Sequence, residues 1–589
     1  MSTTLLFKKV DYSLNKLIHD IAQGEIGLPD IQRPFVWKTA RVRDIFDSMY
    51  KGFPVGYLLF WSNTHLKDKR QIGTGSKQAK VPSLLIVDGQ QRLTALYAVL
   101  KGQPILTKDF RESYIQIAFR PRDETFEVTD AAIQRDPEFI PNISKLWSGD
   151  IALHRFTKDF IKRLRKSREL TEEEEDTLAE RINRLFDIQH YPFTAMEIDS
   201  TVDEEQVSEI FVRINSQGVT LKQADFILTL LSVFWDEGRA QLEKFCRDCR
   251  QPSAVDGAAS PFNYFMQPAP DQMLRVCVGL GFKRARLQYV YSILRGKDLE
   301  TGEVSDEQRI AQFEKLKEAQ ARSLDLTNWH EFQKILLRAG FRSKSMITSD
   351  MGLLHTYVIF LIGKHEFNID SFELRNIMAR WFFMSALTSN RHTGSPESVM
   401  ESDLAQLRSV EKPKEFINML SQIIKDTLTE DFWNISLVNS LASSSARTPV
   451  VFAYHAALNL LDAQVLFSNM KVSDLLDPAL KPKRSATERH HLFSKGYLKT
   501  LGITEVRDTN QVANYALVEW GDNMKISDKP PSEYFPIYRE RFKYKELAQM
   551  MEWHGLPDGW EKMQYAEFLA KRRKLIAKVI RQGFDELMS

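Results

Sequence analysis

Over residues 1–120 short apolar runs alternate with turn-forming residues, and helical spacing appears between them. Gly56–Trp61 (GYLLFW) and Ser83–Val87 (SLLIV) are compact apolar runs bounded by turn residues, the pattern of buried strands. Leu93–Lys101 reads as a helix that Gly102 stops. Ser113–Phe119 alternates as a strand does, and Pro121 closes it. These elements predict a compact α/β unit. Lys158–Leu185 is dense in charge (KRLRKSRE, then TEEEED) and predicts an exposed helical hairpin or connector.

From Val202 to Ala463 the pattern is overwhelmingly helical. Thr220-Leu-Lys-Gln223 has the form of a capping box and opens the apolar stretch ADFILTLLSVFW, which ends near Gly238. Further helices are predicted at Leu274–Gly281, Arg309–Leu324, Gly352–Gly363, Ser371–Thr388 and Pro413–Leu428. A loop rich in Pro, Ala and Gly, Gln251–Pro270, interrupts them. No internal period of roughly 20–50 residues emerges, so a repeat solenoid is not expected. Asp474–Ser485, with two prolines and three basic residues, reads as a linker into a final module that ends in a basic helix around Lys571–Arg581. The pattern divides the chain into an α/β domain at 1–155, its helical extension at 156–240, a helical middle at 241–475 and a last domain at 476–589. The fold class is multidomain α+β.

Composition narrows the class. With 589 residues, 43% hydrophobic and 27% charged, the chain is long enough for several domains with sizeable cores, and most of it is not disordered. The longest strongly apolar stretch, Met351 to Gly363, is too short for a bilayer crossing. The start, MSTTLLFKKVDYSL, lacks a basic region followed by a long apolar run, so no signal peptide is expected. Three cysteines form no disulfide framework, and the expected compartment is a reducing cytoplasm. Cys246-x-x-Cys249 with only Cys277 besides cannot make a four-thiolate zinc site. Net charge is only +2, but Lys481–Ser589 carries 20 basic and 15 acidic residues, +5, which leaves −3 for the rest. A basic end on a weakly acidic body suits an approach to phosphate.

The strongest chemical signal lies in that end. Thr487-Glu-Arg-His-His-Leu-Phe-Ser-Lys495 is followed by Asn510-Gln-Val-Ala-Asn-Tyr-Ala-Leu-Val-Glu-Trp520 and then Gly-Asp-Asn523. Adjacent histidines on a strand point to opposite faces, so one of His490 and His491 can bind a metal while its neighbour faces water. NYALVEW reads as a second strand, and the segment after it offers Asn523 as an oxygen ligand. Over Glu488–Phe535 this order resembles the ββα-metal, or His-Asn-His, nuclease module. The resemblance implies His490 and Asn523 as ligands of one divalent cation, Mg²⁺ or Mn²⁺, and His491 as the general base that activates water. Asn514 matches the central Asn, which orients the base or braces its loop. Where relatives place Pro after the His-His-x-Phe run, this chain has Ser494. Lys495, Lys525, Lys529 and Arg489 are close in sequence and are phosphate candidates.

A second constellation is an apolar strand that runs into Asp88-Gly89-Gln90-Gln91-Arg92 with a helix directly after it. A helix N-terminus behind a strand favours phosphate, Gly89 permits a tight turn, Arg92 can fork onto phosphate oxygens, and Asp88 can hold a cation or polarise water. Leu28-Pro-Asp-Ile-Gln-Arg-Pro-Phe-Val-Trp37 together with IVDGQQRLTAL, and then Phe211-Val-Arg-Ile-Asn-Ser-Gln-Gly218 with Leu221 and Asp225, resembles the N-terminal domain of GmrSD-type restriction proteins. That domain is related to the ParB/sulfiredoxin-like fold. The resemblance implies binding and hydrolysis of a nucleoside triphosphate, ATP or GTP, at the turn. Asp88, Gly89, Gln90, Gln91 and Arg92 would form that site, with Gln32 and Arg33 from a neighbouring loop; Arg213 and Asn215 face the pocket or pack a helix. Arg391 and Ser395 are read as structural residues of the helical middle.

The two terminal modules occur together in GmrSD-like, type IV, modification-dependent restriction enzymes. The resemblance therefore implies a nucleotide-regulated, metal-dependent endonuclease that cuts modified phage DNA. Its partners would be double-stranded DNA and nucleotide, no membrane, and, as an open alternative, a second copy of the chain. Two other readings stay open: a nucleotide-responsive DNA-binding regulator with little cleavage, and an RNase of the same fold.

Overall fold

The computed structural model describes residues 5–27, 35, 37–62, 82–107, 112–202, 206–207, 210, 231, 235–253, 258–294, 296–297, 301–303, 305–388, 396–480 and 487–588, without the side chains of 106, 236, 288, 291, 306, 487–489, 520 and 523. The candidates Gln32, Arg33, Arg213, Asn215, Arg391 and Ser395, and the capping box at Thr220, lie outside the described residues. The chain divides into two compact units, Met1–Asp236 and Glu237–Ser589.

The first unit is built on a five-stranded mixed sheet. Its chain-order elements are β1 (Phe7–Ser13), α1 (Leu14–Ala22), β2 (Ile26–Gly27), α2 (Thr39–Tyr50), β3 (Leu58–Ser62), β4 (Leu84–Asp88) and α3 (Gln90–Lys101). The short strands β5 (Ile105–Leu106) and β6 (Glu112–Ser113) follow, then β7 (Ile117–Arg120), β8 (Thr125–Val128), α4 (Leu153–Leu164), α5 (Glu172–Phe186) and β9 (Pro192–Ile198). The sheet order is β1-β9-β3-β4-β2. Strand β9 runs antiparallel to β1 and parallel to β3, so the strand latest in sequence takes an interior place between the edge strand β1 and β3. One face, with Leu58, Phe60, Ile86, Phe193 and Ala195, packs on the apolar stripes of α1, α2 and α3. The other carries Leu59 and Ile198 against Val202 and Val207. Burial on both faces is why β3 and β4 read as continuous apolar runs.

Ser113–Phe119 is not one strand. Residues 112–113 pair with β5, and 117–120 pair with β8. The chain changes partner between them, and a change of partner leaves no mark on the alternation. The charged hairpin is present as α4 and α5, the latter opened by a reciprocal capping box between Thr171 and Glu174.

The second unit begins with helices α6 (Asp236–Asp248), α7 (Pro270–Phe282), α8 (Leu287–Leu294), α9 (Asp306–Leu324), α10 (Leu326–Arg338), α11 (Asp350–His365), α12 (Ser371–Leu387), α13 (Pro396–Leu407), α14 (Pro413–Thr427) and α15 (Pro449–Leu460). Helix α11 is buried on all sides from Gly352 to Gly363 and packs on α7 and α12. Several helices start a turn earlier than the apolar spacing suggests, because Ser305 and Ser349 cap α9 and α11 ahead of their first apolar residues. Buried His355 is 3.0 Å from Asp403 of α13, which ties that helix to α11. Cys246, Cys249 and Cys277 are buried free thiols, and burial raises the pKa of each.

The last part of this unit holds β10 (Thr487–His491), α16 (Lys495–Thr500), β11 (Tyr515–Glu519), α17 (Trp520–Ile526), α18 (Pro531–Arg539), α19 (Tyr544–Trp553) and α20 (Tyr565–Asp585). They share a core of Leu492, Phe493, Val518, Tyr534, Trp560 and Phe568. The expected linker begins in a short helix, Val472–Leu476, and a 3-10 turn, Pro478–Leu480. Among the described residues no helix is long and apolar enough to cross a membrane.

One buried group in this core makes a pH test. His554 is fully buried, lies 2.8 Å from the Gln464 carbonyl, and burial lowers its pKa to about 4. Unfolding frees it to take a proton near its ordinary value of ~6.5. The folded state binds the proton more weakly, so its contribution is complete above ~6.5 and is lost as pH falls towards 4. The loss amounts to about 3 kcal/mol. Urea unfolding followed by intrinsic tryptophan fluorescence should show this fall. His554→Gln should flatten it, and an unchanged slope in that variant would assign the acid sensitivity elsewhere.

Candidate functional site

Two places gather the candidate residues, one in each unit. In the second unit, β10 and β11 form an antiparallel hairpin, with His490 opposite Ala516 and His491 opposite Tyr515, and α17 follows directly. The order is strand, strand, helix. The two histidines differ as alternation requires. His490 is 3% exposed and edge-on to Tyr534 at 5.9 Å. His491 is half-buried, with its ring 4.7 Å from that of Tyr515.

His491 Nε2 lies 3.0 Å from Asn510 Oδ1. An amide oxygen only accepts, so Nε2 carries the hydrogen and the neutral ring keeps its lone pair on Nδ1. Burial lowers the His491 pKa, the Asn510 bond opposes that shift, and Lys495 adds to it. The ring is therefore neutral at neutral pH, the form that takes a proton.

The loop after His491 is held from several sides. Asn514 is fully buried; its Oδ1 accepts from Phe493 N at 2.8 Å, and its Nδ2 donates to the carbonyls of Phe493 at 3.0 Å and Thr509 at 3.2 Å. Leu492 N donates to Asn514 O at 2.8 Å, and Tyr534 Oη donates to Leu492 O at 2.7 Å. Ser494 caps α16 by accepting from Tyr497 N, so a cap stands where relatives use a ring. The position of Asn523 is in α17, and its side chain lies outside the described residues. Asn510, Tyr534 and Ser494 carry no role in the sequence reading; the spacing of Asn510 and Asn514 within one turn is the signal that would have pointed to the first.

Among the described residues no group of three or more His, Cys, Asp and Glu could hold a metal ion. By residue type alone, the expected ligands His490 and Asn523 would offer one imidazole and one amide oxygen. That chemistry fits Mg²⁺ or Mn²⁺, which keep several waters and take few protein ligands.

In the first unit, Asp88 ends β4, and a register shift between Leu59 and Phe60 re-aims that end. Gly89 has φ +96°, and a methyl group there would collide with the Leu58 side chain, so the turn needs glycine. Gly89, the N-cap of α3, has no side chain to cap it. Arg92 Nη1 donates to Tyr57 O at 2.9 Å. Burial lowers the Arg92 pKa, Asp88 opposes that shift, and Arg41 reinforces it. Arg41, absent from the sequence reading, lies over the Trp37 ring at 4.3 Å. The turn thus brings Asp88, Gly89, Gln90, Gln91 and Arg92 together with a second guanidinium nearby.

Comparison with known proteins bears on this unit first. Residues 14–232 match the family described as the GmrSD restriction endonuclease, N-terminal domain. The matched segment contains the whole Asp88–Arg92 turn and ends before the helical middle. The likeness is to that domain alone and lies within the first unit. A second likeness spans nearly the full chain: the uncharacterized protein MJ0686 of Methanocaldococcus jannaschii is 22% identical over 577 residues, covering 91% of this chain and 88% of that protein.

Proposed function

We propose that the chain is a nucleotide-regulated, metal-dependent endonuclease of the type IV restriction class. The observation that carries the reading is the strand-strand-helix order with His491 turned by Asn510 and its loop clasped by Asn514. The match of residues 14–232 to a restriction-endonuclease domain supports DNA as the substrate. His491 Nδ1 takes a proton from the attacking water; Nε2–H stays on Asn510, so the ring does not rotate away. Asn514 holds the backbone that carries His491. His490 and Asn523 would hold the divalent cation, which when bound supplies charge neutralisation at the phosphate and the leaving oxygen. Exposed Lys495, Lys525 and Lys529 supply the cationic surface for the DNA backbone.

The Asp88–Arg92 turn is the proposed nucleoside triphosphate site, with Arg92 and the α3 N-terminus facing phosphate and Asp88 acting on the cation or the water. Nucleotide control keeps the nuclease from cutting host DNA.

The test is a digestion panel of modified and unmodified phage DNA, with RNA as a further substrate, in Mg²⁺ and in Mn²⁺, with ATP, GTP or neither. Cleavage of modified DNA that responds to a triphosphate is the expected result. Binding without cutting under every condition favours the regulator, and cutting of RNA alone favours the RNase. In phosphate-release assays Asp88→Ala and Arg92→Ala should each reduce turnover at least about tenfold. Normal release in both variants removes the nucleotide site from this turn.

A further inference from the structure

The basic helix α20 does not present all of its charge to solvent. Lys571, Lys574 and Lys578 are exposed, and Arg581 pairs with Glu430. Arg572 is 0% exposed. Its Nη1 donates to Ala513 O at 2.8 Å, and its Nε and Nη2 both donate to His554 O at 3.1 Å. It makes no ion pair among the described residues.

A buried cation without a carboxylate costs several kcal/mol, and an apolar side chain of similar volume is often as stable or more so. Packing alone therefore does not call for a guanidinium. What arginine supplies is a rigid fork that fixes two backbone segments relative to each other. One of those segments is the turn that serves His491. Two helical turns earlier on α20, Tyr565 Oη donates to Asp508 O at 2.8 Å. Next to Arg572, Arg573 Nη2 donates to Gln511 Oε1 at 2.9 Å. Helix α20 thus grips residues 508–513 at three points. The gripped turn carries Asn510, which holds the His491 ring, and leads directly into Asn514, which clasps the loop after it.

We infer that Arg572 is a positioning residue of the His491 site, fixing through the Ala513 carbonyl the turn that presents Asn510 and Asn514. Its consequence for cleavage rests on the nuclease reading, whereas the brace itself does not. A shift of about 1 Å at a reacting group costs about 10²-fold in rate, which sets the scale expected when the brace is lost.

The test uses the full chain with Arg572→Met, which keeps the volume, Arg572→Lys, which keeps the charge, and Arg572→Ala, which opens a cavity. Circular dichroism and intrinsic tryptophan fluorescence report the fold. The expected result is faster amide exchange at Leu492 and Phe493, with kcat for DNA cleavage down about 10–100-fold and KM within about twofold. Added guanidinium at millimolar concentration should restore part of the kcat of Arg572→Ala. A folded Arg572→Met with unchanged exchange at Leu492 and Phe493, or with KM raised at constant kcat, overturns the inference. If the Met variant does not fold, Arg572→Lys is held to the same two readouts. If the unaltered protein cleaves no DNA with any metal and nucleotide, the nuclease reading fails alone, and amide exchange still decides the brace.

Discussion

His491→Ala should lower metal-dependent strand cleavage by about 10³-fold, roughly 4 kcal/mol of transition-state stabilisation, while DNA affinity stays within about threefold. The size follows from what the ring does. It is the one imidazole of the hairpin that is half-buried rather than sealed, its pKa is held down by burial, and its orientation is fixed by Asn510. The substitution removes the proton acceptor and leaves the exposed lysines that meet the DNA backbone untouched, so binding and cutting separate. The measurement is nicking of a supercoiled plasmid in Mn²⁺ beside a gel-shift titration of the same preparation. Unchanged nicking in the variant ends the assignment of His491 as base. Loss of binding along with cutting would mean that the hairpin has unfolded, which amide exchange at Leu492 and Phe493 detects independently.

How much of this was legible from the letters depends on the range of the contact. Local signals carried through: Ser83–Val87 as a strand, the helix stopped by Gly102, and the helices between Leu274 and Leu428 all appear within four residues of their expected ends. The second strand of the hairpin, NYALVEW, is β11. Partner choice was not legible. Ser113–Phe119 alternates evenly, yet its two halves pair with different strands. Strand β9 reaches an interior place in the sheet from far along the chain, through pairing that no local pattern encodes. Charge shows composition but not exposure. Lys571–Arg581 reads as a basic helix, yet Arg572 is buried and Arg581 is paired, and only the position of each residue around α20 separates them from the exposed lysines. Asn510 sat in the quoted motif without a role, because its bond to His491 closes over 19 residues of intervening chain.

The last expectation concerns Asn514, whose side chain meets three backbone groups in a site with no access to water. Asn514→Leu keeps the volume and strips all three bonds. The Phe493 N–H and the Phe493 carbonyl lose this partner, while Thr509 O retains a long contact with Tyr565. At about 1–3 kcal/mol for each buried group left unpaired, the hairpin module should lose about 3–5 kcal/mol. Asn514→Asp discriminates further. A carboxylate there can still accept from Phe493 N, but it faces two carbonyl oxygens, and burial disfavours its charge. Its folded-state pKa is therefore raised above the unfolded value. Stability is then greatest when the group is protonated and falls as pH rises through the folded pKa, the opposite sign to His554. Urea unfolding by intrinsic tryptophan fluorescence should find Asn514→Asp weaker at pH 7 than at pH 5. An Asn514→Leu protein within about 1 kcal/mol of the parent would show that the amide is not what closes the loop behind His491.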